Sequence, residues 1–112
     1  MSFHASLGFS GTSAIVRLAG DLTDAEVAEV RSLIDEAVRV APRHLVVDVV
    51  ELTSLVPAAL RCLAFAQQLL PSGAQMTVDG ASQKVTERLR MAGLERSVRL
   101  IPAVPGPFAA AA

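Results

Sequence analysis

The chain has 112 residues, the size of one domain, and a formal net charge of −1. This charge excludes the basic surface that a nucleic-acid partner requires, and the scarcity of aromatic residues, with no Trp or Tyr, excludes a base-stacking platform. Hydrophobic residues make up 52 % of the chain, so it is expected to build a packed core rather than stay disordered.

The sequence favours a cytoplasmic protein. Its single cysteine, Cys62, has no partner for an internal disulfide, which favours a reducing compartment. The first residues show no basic segment followed by a long apolar one, so no signal peptide is expected. No apolar run reaches the roughly 18 residues of a membrane helix, so no membrane span is expected.

The first forty residues predict two strands and a helix. Alternating apolar residues indicate strands at 4–9 and 13–18, joined by a short hairpin turn. The string GDL that follows is expected to break the second strand. The next string, TDAE, is a capping box in which Thr23 and Glu26 each satisfy a backbone amide at the start of a helix.

The rest of the chain predicts two more strand–helix units and a last strand. Residues 44–50 are almost all β-branched or aliphatic, the pattern of a central strand covered on both faces. A helix follows over about 57–70, with a proline at its first position. The remaining predicted elements are a strand at 74–78, a turn at 79–80, a helix from Ser82 to Gly93 and a strand at 97–101.

This order of elements predicts the fold class. Strands that alternate with helices imply an α/β domain with a mixed or largely parallel sheet of about four or five strands and crossover helices packed on it. The domain is expected to span 1–101. Residues 102–112 are rich in Pro, Gly and Ala and are predicted to form a flexible tail.

The residue combinations that catalysis or metal binding requires are missing from the sequence. No glycine-rich phosphate loop opens a helix. His4 and His44 lie far apart without further ligands at metal-binding spacing, and Cys62 falls in an apolar helix, as an unreactive thiol does. The aspartates near the predicted strand ends are typical of solvated turns. We therefore expect a protein that is not an enzyme and has no cofactor or metal.

Several strings in this order resemble one family. They are AIVRLAGDL at 14–22, LVVD at 45–48, MTVDGAS at 76–82 and the Gly93–Leu94 pair. Over about 13–101 the chain is thereby similar to the STAS family of bacterial anti-sigma-factor antagonists. The resemblance implies a single STAS-like domain that regulates transcription by binding a protein partner, an anti-sigma factor or a related kinase-like ATPase.

The start of the predicted second helix departs from that family. The family has an Asp-Ser-Ser/Thr-Gly string there, and a partner kinase phosphorylates its first Ser. Here the string is Val56-Pro57-Ala58-Ala59, so Pro57 occupies the phosphosite and the usual switch is lost. Thr53 and Ser54 remain as alternative hydroxyls. The resemblance then implies either a constitutive binder or a divergent domain with another partner.

The second helix also carries more apolar surface than a sheet requires. Its apolar residues fall on two faces roughly 90° apart, namely Ala59, Leu63, Ala66 and Leu70 on one and Ala58, Cys62, Phe65 and Leu69 on the other. The second stripe either packs under the neighbouring helix or forms a patch for a partner, with Phe65 as its anchor.

The resemblance and the helical wheel together predict the binding site. Its residues are Asp21, Thr53, Ser54, Val56, Pro57, Ala58, Arg61 and Phe65. Two alternatives stay open: a scaffold subunit of a signalling or transporter-associated complex, and a ligand sensor with a small pocket for a nucleotide or lipid near Asp21, Ser54 and Arg61. The sequence is also compatible with a homodimer.

Overall fold

A five-stranded sheet organises the computed structural model, which describes residues 2–103. Its strands lie side by side in chain order. They are β1 (Phe3–Ser10), β2 (Ser13–Leu22), β3 (His44–Leu55), β4 (Gln75–Ala81) and β5 (Arg99–Pro102). β1 is antiparallel to β2, and all other neighbouring pairs are parallel.

Each parallel connection passes through a helix. The three helices are α1 (Val27–Arg39), α2 (Pro57–Leu69) and α3 (Gln83–Met91). Short 3₁₀ segments, Asp24–Glu26 and Leu94–Arg96, precede α1 and follow α3. The predicted α/β class, the element order and the mixed sheet with crossover helices are confirmed.

The core lies between the three helices and one face of the sheet. Side chains that are neighbours across β2, β3 and β4 on this face are all buried, as Val16, Val47 and Val78 show. The helices contribute Val30, Ile34, Leu63, Ala66, Val85 and Leu89 to the same cluster. Because consecutive parallel strands are joined by right-handed crossovers in one direction, every helix comes to the same face.

The expectation that the strand at 44–50 is covered on both faces is therefore wrong. Leu45, Val47 and Val49 are buried, whereas Val46, on the face without helices, is only half-buried. Val50 is 62 % exposed. A run of β-branched residues fits either a fully or a half-covered strand, and only the one-sided placement of the helices decides between them.

Two predicted strand ends are irregularities inside longer strands. β2 continues through Gly20 to Leu22, and β4 continues through Gly80 to Ala81, each with a shift of register. Gly20 and Gly80 have φ values of +96° and +82°, and a Cβ would collide with the Ser2 carbonyl oxygen at Gly20 and with the Val50 side chain at Gly80. Glycine at these positions therefore lets neighbouring backbone or side chains approach closely within the sheet. In the sequence alone, such a glycine looks the same as a turn glycine.

The aspartates expected in turns lie within strands. Asp48 lies in β3, where its Oδ1 accepts a hydrogen bond from the Val50 N–H at 3.1 Å. Its Oδ2 lies 3.2 Å from Arg17 Nε on the adjacent strand, forming an ion pair. The carboxylate therefore ties β2 to β3 and satisfies an amide next to the register shift between these strands.

The described chain reaches slightly beyond the predicted domain boundary at residue 101. β5 ends at Pro102, and the Ala103 N–H donates to the Ala81 carbonyl oxygen at 2.8 Å. The rest of the predicted tail, 104–112, lies outside the described residues.

We expect Gly80→Ala to destabilise the protein more than Gly73→Ala. Both glycines have positive φ, so alanine costs about 1–2 kcal/mol at each. A Cβ at Gly80 would also overlap the Val50 side chain, whereas a Cβ at Gly73 meets nothing within 4 Å. Overpacking adds roughly 1–3 kcal/mol. Urea unfolding of both variants measures the difference, and equal losses would contradict the close packing.

We expect Thr23→Ala to lower the free energy of unfolding by about 1 kcal/mol. Thr23 and Glu26 form the predicted capping box at the 3₁₀ turn that leads into α1. The Glu26 carboxylate accepts from the Thr23 N–H at 3.1 Å and from the Thr23 hydroxyl. Thr23→Ser, which keeps the hydroxyl, is the matched control and should unfold at nearly the wild-type denaturant concentration. A wild-type midpoint for Thr23→Ala would show that this cap contributes nothing.

Candidate interaction surface

The ends of β2 and β3 are fastened to the start of α2. Asp21 and Ser54 are partners in the β2–β3 register. The Val56 N–H, one residue before α2, donates to the Leu22 carbonyl oxygen at 3.1 Å. The sheet therefore sets where α2 begins, and it brings three of the predicted site residues, Asp21, Ser54 and Val56, to one rim.

Thr53 and Ser54 lie in β3, beyond the strand end predicted at residue 50. β3 extends to Leu55, because Leu52, Ser54 and Leu55 still pair with β2. The Thr53 hydroxyl donates to the Gly20 carbonyl oxygen at 2.9 Å. This hydroxyl therefore has a structural partner at the irregular part of β2.

The first turn of α2 has neither a side-chain cap nor a compensating acid. Pro57 is the first helical residue, and Val56 before it makes no side-chain cap. No acidic side chain lies in this turn. The positive end of the helix dipole is therefore not neutralised by its own sequence, and an added negative charge is tolerated there.

α2 buries one face against the core and leaves the other partly open. Ala59, Leu63 and Ala66 are buried, as the helical wheel predicts. On the second stripe Ala58 and Cys62 are half-buried, while Phe65 and Leu69 remain 44 % and 47 % exposed. The neighbouring helix α1 therefore covers this stripe only in part.

The partly covered stripe forms one wall of a groove between α1 and α2. The groove has a volume of about 400 Å³, and its lining includes Val27, Arg31, Ile34, Ala58, Cys62, Phe65 and Leu69. The Arg31 guanidinium carbon lies 5.8 Å from the centroid of the Phe65 ring, a cation–π contact. Arg61 and Asp35 complete the lining, so an apolar floor has charged groups beside it.

A second groove lies on the other side of α2, against α3. Its volume is about 330 Å³, and Pro57, Leu60, Arg61, Arg88 and Met91 are among its lining residues. Met91 is 86 % exposed. α2 is thus flanked by two partly apolar grooves that share Arg61.

Sequence reasoning missed the parts of this surface that lie on α1 and α3. Val27 and Arg31 are one helical turn apart, so a helical wheel of α1 like that of α2 would have placed both on one flank. Met91 is the last residue of α3, a helix whose surface residues are mostly charged. A large apolar side chain in that position was the sign in the sequence that pointed to this surface.

The predicted ligand pocket near Asp21, Ser54 and Arg61 does not coincide with either groove. Arg61 lines both grooves, but Asp21 and Ser54 line neither. Asp21 and Ser54 therefore lie outside both grooves, and neither groove encloses a small molecule between these three side chains.

Among the described residues, the acidic, histidine and cysteine side chains bear on metal binding and catalysis. Within 2–103 no three or more His, Cys, Asp or Glu side chains cluster as metal ligands would. His44 Nε2 lies 2.7 Å from Thr77 Oγ1 on the sheet face without helices, so this imidazole has a hydrogen-bond partner.

No helix in the described part of the chain has the length and apolarity that a membrane crossing demands.

We expect the Cys62 thiol to react slowly with a disulfide reagent at neutral pH. Burial raises the pKa of Cys62, and the charge of Asp35 adds to this, while the Arg31 and Arg61 guanidinium groups oppose it. A raised pKa lowers the thiolate fraction at neutral pH. The rate should be severalfold lower than in urea-unfolded protein and should rise with pH beyond the usual thiol range. Equal rates in the folded and unfolded protein would contradict this environment.

Comparisons with known proteins agree with this architecture. A family model described as "Mlab, STAS domain" matches residues 5–102. An anti-sigma factor antagonist from Mycobacterium paratuberculosis superposes with a TM-score of 0.84 at 18 % identity, covering 92 % of this chain and 88 % of that one.

Two structures of the anti-sigma factor antagonist SpoIIAA are also similar. Its phosphorylated form, from Bacillus, gives a TM-score of 0.72 at 15 % identity, over 90 % of this chain and 92 % of that one. Its unphosphorylated form gives 0.71 at 13 %, over 90 % of each chain. At these identities the likeness shows the fold. No curated protein sequence matches the chain.

Proposed function

Since the chain belongs to the STAS domain family, we propose that it is a non-catalytic module that binds a protein partner through the start of α2 and the α1–α2 groove. The observation that carries the proposal is the apolar groove beside an uncapped helix start. Phe65 and Leu69 are nearly half exposed there, although the opposite face of α2, with Leu63 and Ala66, is buried in the core. An aromatic anchor surrounded by smaller apolar side chains is typical of the centre of a protein interface.

The partner that fits best is an anti-sigma factor or a related kinase-like ATPase. Structures named anti-sigma factor antagonists share this fold with the chain over nearly its full length. The charges agree with an acidic or polar rim on such a partner, because Arg31 and Arg61 line the groove beside a single acid, Asp35, and the first turn of α2 contains no acid. Binding at this region would place the protein in transcription regulation, as a cytoplasmic component.

The binding is proposed to be constitutive. In the related scheme a phosphate adds about −1.5 to −2 charges at the start of the equivalent helix and prevents docking. Pro57, Ala58 and Ala59 carry no hydroxyl, so no such charge forms at these positions. The nearby Thr53 hydroxyl donates to a backbone oxygen within the sheet, which supports a structural role for it.

A scaffold role in a larger complex is the second candidate. It is favoured by the same lack of a hydroxyl, because a permanently docked subunit requires no switch. The identity of the captured partner separates the two: a kinase-like anti-sigma factor supports the first, and a transporter or other multisubunit assembly supports the second.

We expect Ala58→Asp to abolish partner binding without unfolding the protein. Ala58 is a half-buried groove residue in the first turn of α2, where the helix dipole favours a negative charge. A docked apolar partner surface would have to desolvate that charge. The affinity for the purified partner, first captured on the immobilised protein and identified by mass spectrometry, should fall at least about a hundredfold, or about 2.8 kcal/mol.

The matched control is Gln83→Asp. It adds the same charge at the start of α3, at an exposed residue that lines neither groove. This variant should bind with wild-type affinity, and both variants should keep the wild-type melting temperature. Wild-type affinity of Ala58→Asp would place the interface elsewhere, and unfolding of this variant would show that the second stripe of α2 belongs to the core.

A further inference from the structure

The outer edge of β1 is an open pairing edge. Among the described residues β1 is hydrogen-bonded to β2 alone, and no other backbone bond reaches it. All eight of its residues pair with β2 without a register shift, so the edge carries no bulge. It contains no proline and no Lys, Arg, Asp or Glu. These are the devices with which proteins normally block an exposed edge, and none is present on β1.

The hairpin geometry determines which backbone groups point outward. β1 and β2 are joined by the two-residue turn Gly11–Thr12, and Ser10 pairs with Ser13 across it. Gly11 has φ of +60°, as the first central residue of a type II′ turn does. The residues that close such a turn are hydrogen-bonded to each other, and bonded pairs alternate along an antiparallel ladder. The free N–H and C=O groups therefore belong to Phe3, Ala5, Leu7 and Phe9.

The same four residues carry the apolar side chains of the strand. Phe3, Ala5 and Leu7 are half-buried against the core, and Phe9 is 57 % exposed. The intervening residues, His4, Ser6, Gly8 and Ser10, are exposed on the other face. β1 is thus apolar on the face that continues the core and polar or small on the opposite face.

We propose that two copies of the protein pair β1 to β1 in antiparallel fashion about a twofold axis at Ser6. This register places Phe3 opposite Phe9 of the other copy and Ala5 opposite Leu7. It uses all four outward-pointing residues of each strand in bonded pairs, whereas an axis at Ala5 or Leu7 leaves one of them without a partner. The result is a continuous ten-stranded sheet, five strands from each copy, with all helices on one face.

A second copy fits this edge better than another protein because the strand is self-complementary. An antiparallel twofold brings each residue against its mirror position in the string FHASLGF, which has Phe at both ends and the apolar Ala5 and Leu7 on either side of Ser6. No two like charges meet, since β1 has no Lys, Arg, Asp or Glu and this register places His4 opposite Gly8. Cross-strand Phe–Phe contacts then cover Phe9, which the monomer leaves exposed.

This dimer is independent of the proposed function. β1 is the edge strand, whereas the proposed partner surface lies on α2 and its two grooves, and no β1 residue lines either groove. Loss of the dimer would therefore leave partner binding unchanged, and a misplaced partner surface would leave the dimer unchanged.

A cysteine placed on the proposed axis tests the register. In a Cys62→Ala background, Ser6→Cys puts two thiols opposite each other in a non-bonded pair, with Cα atoms about 4.5 Å apart, within disulfide reach. The matched control is His4→Cys, on the same exposed face. In this register the cysteine at position 4 of one copy lies four residues along the strands from the same cysteine of the other copy. That is roughly 13 Å, beyond disulfide reach. Mild oxidation should cross-link Ser6→Cys almost completely and leave His4→Cys monomeric on non-reducing gels.

A proline on the edge tests the backbone pairing. Ala5→Pro removes an outward N–H that β2 does not use, a position where an edge strand tolerates proline. Sedimentation of the full chain over a wide dilution series should show a dimer for the wild type and a monomer for Ala5→Pro, with unchanged circular dichroism. A wild-type monomer at every concentration, or equal cross-linking of Ser6→Cys and His4→Cys, would overturn the proposal. If Ala5→Pro unfolds, the difference in cross-linking between Ser6→Cys and His4→Cys still tests the proposed register.

Discussion

Every helix of this domain packs on the same face of the sheet, and the rest of the structure depends on that constraint. The strands lie in chain order, and each parallel connection is a crossover of the same hand, so none of the helices within residues 2–103 reaches the opposite face. As a result α1 and α2 lie side by side and form the groove that contains Phe65. The same constraint leaves Val46 and the His44–Thr77 pair on a sheet face without helices.

The contact between the sheet and the start of α2 connects the fold to the proposed interface. The bond from Val56 to the Leu22 carbonyl holds the first turn of α2 against the end of β2. Register shifts in β2, together with Gly20, let β3 run past its predicted end to reach this point. A helix start held by a backbone bond to the sheet keeps the Ala58 side chain in a defined position, which is what a docking surface requires.

Proline at the first position of α2 fits the constitutive binding that we propose. Pro57 occupies the first helical position, where its missing N–H costs no intrahelical bond. The helix therefore begins without a side-chain hydroxyl on its first three residues, Pro57, Ala58 and Ala59. The fold itself depends on apolar periodicity and crossover order and requires no hydroxyl at this position.

Local patterns in the sequence determined the element order, the Thr23–Glu26 capping box and the buried face of α2, because each depends on residues within one or two turns of chain. Strand ends were not determined in this way. Gly20 and Gly80 resemble turn residues in the sequence, yet each lies where a neighbouring strand leaves no room for a Cβ. Likewise, a helical wheel of α2 shows an apolar stripe but not whether α1 covers it. Only the tertiary structure decided that Phe65 stays partly exposed, since burial of one helix face depends on where a distant helix packs.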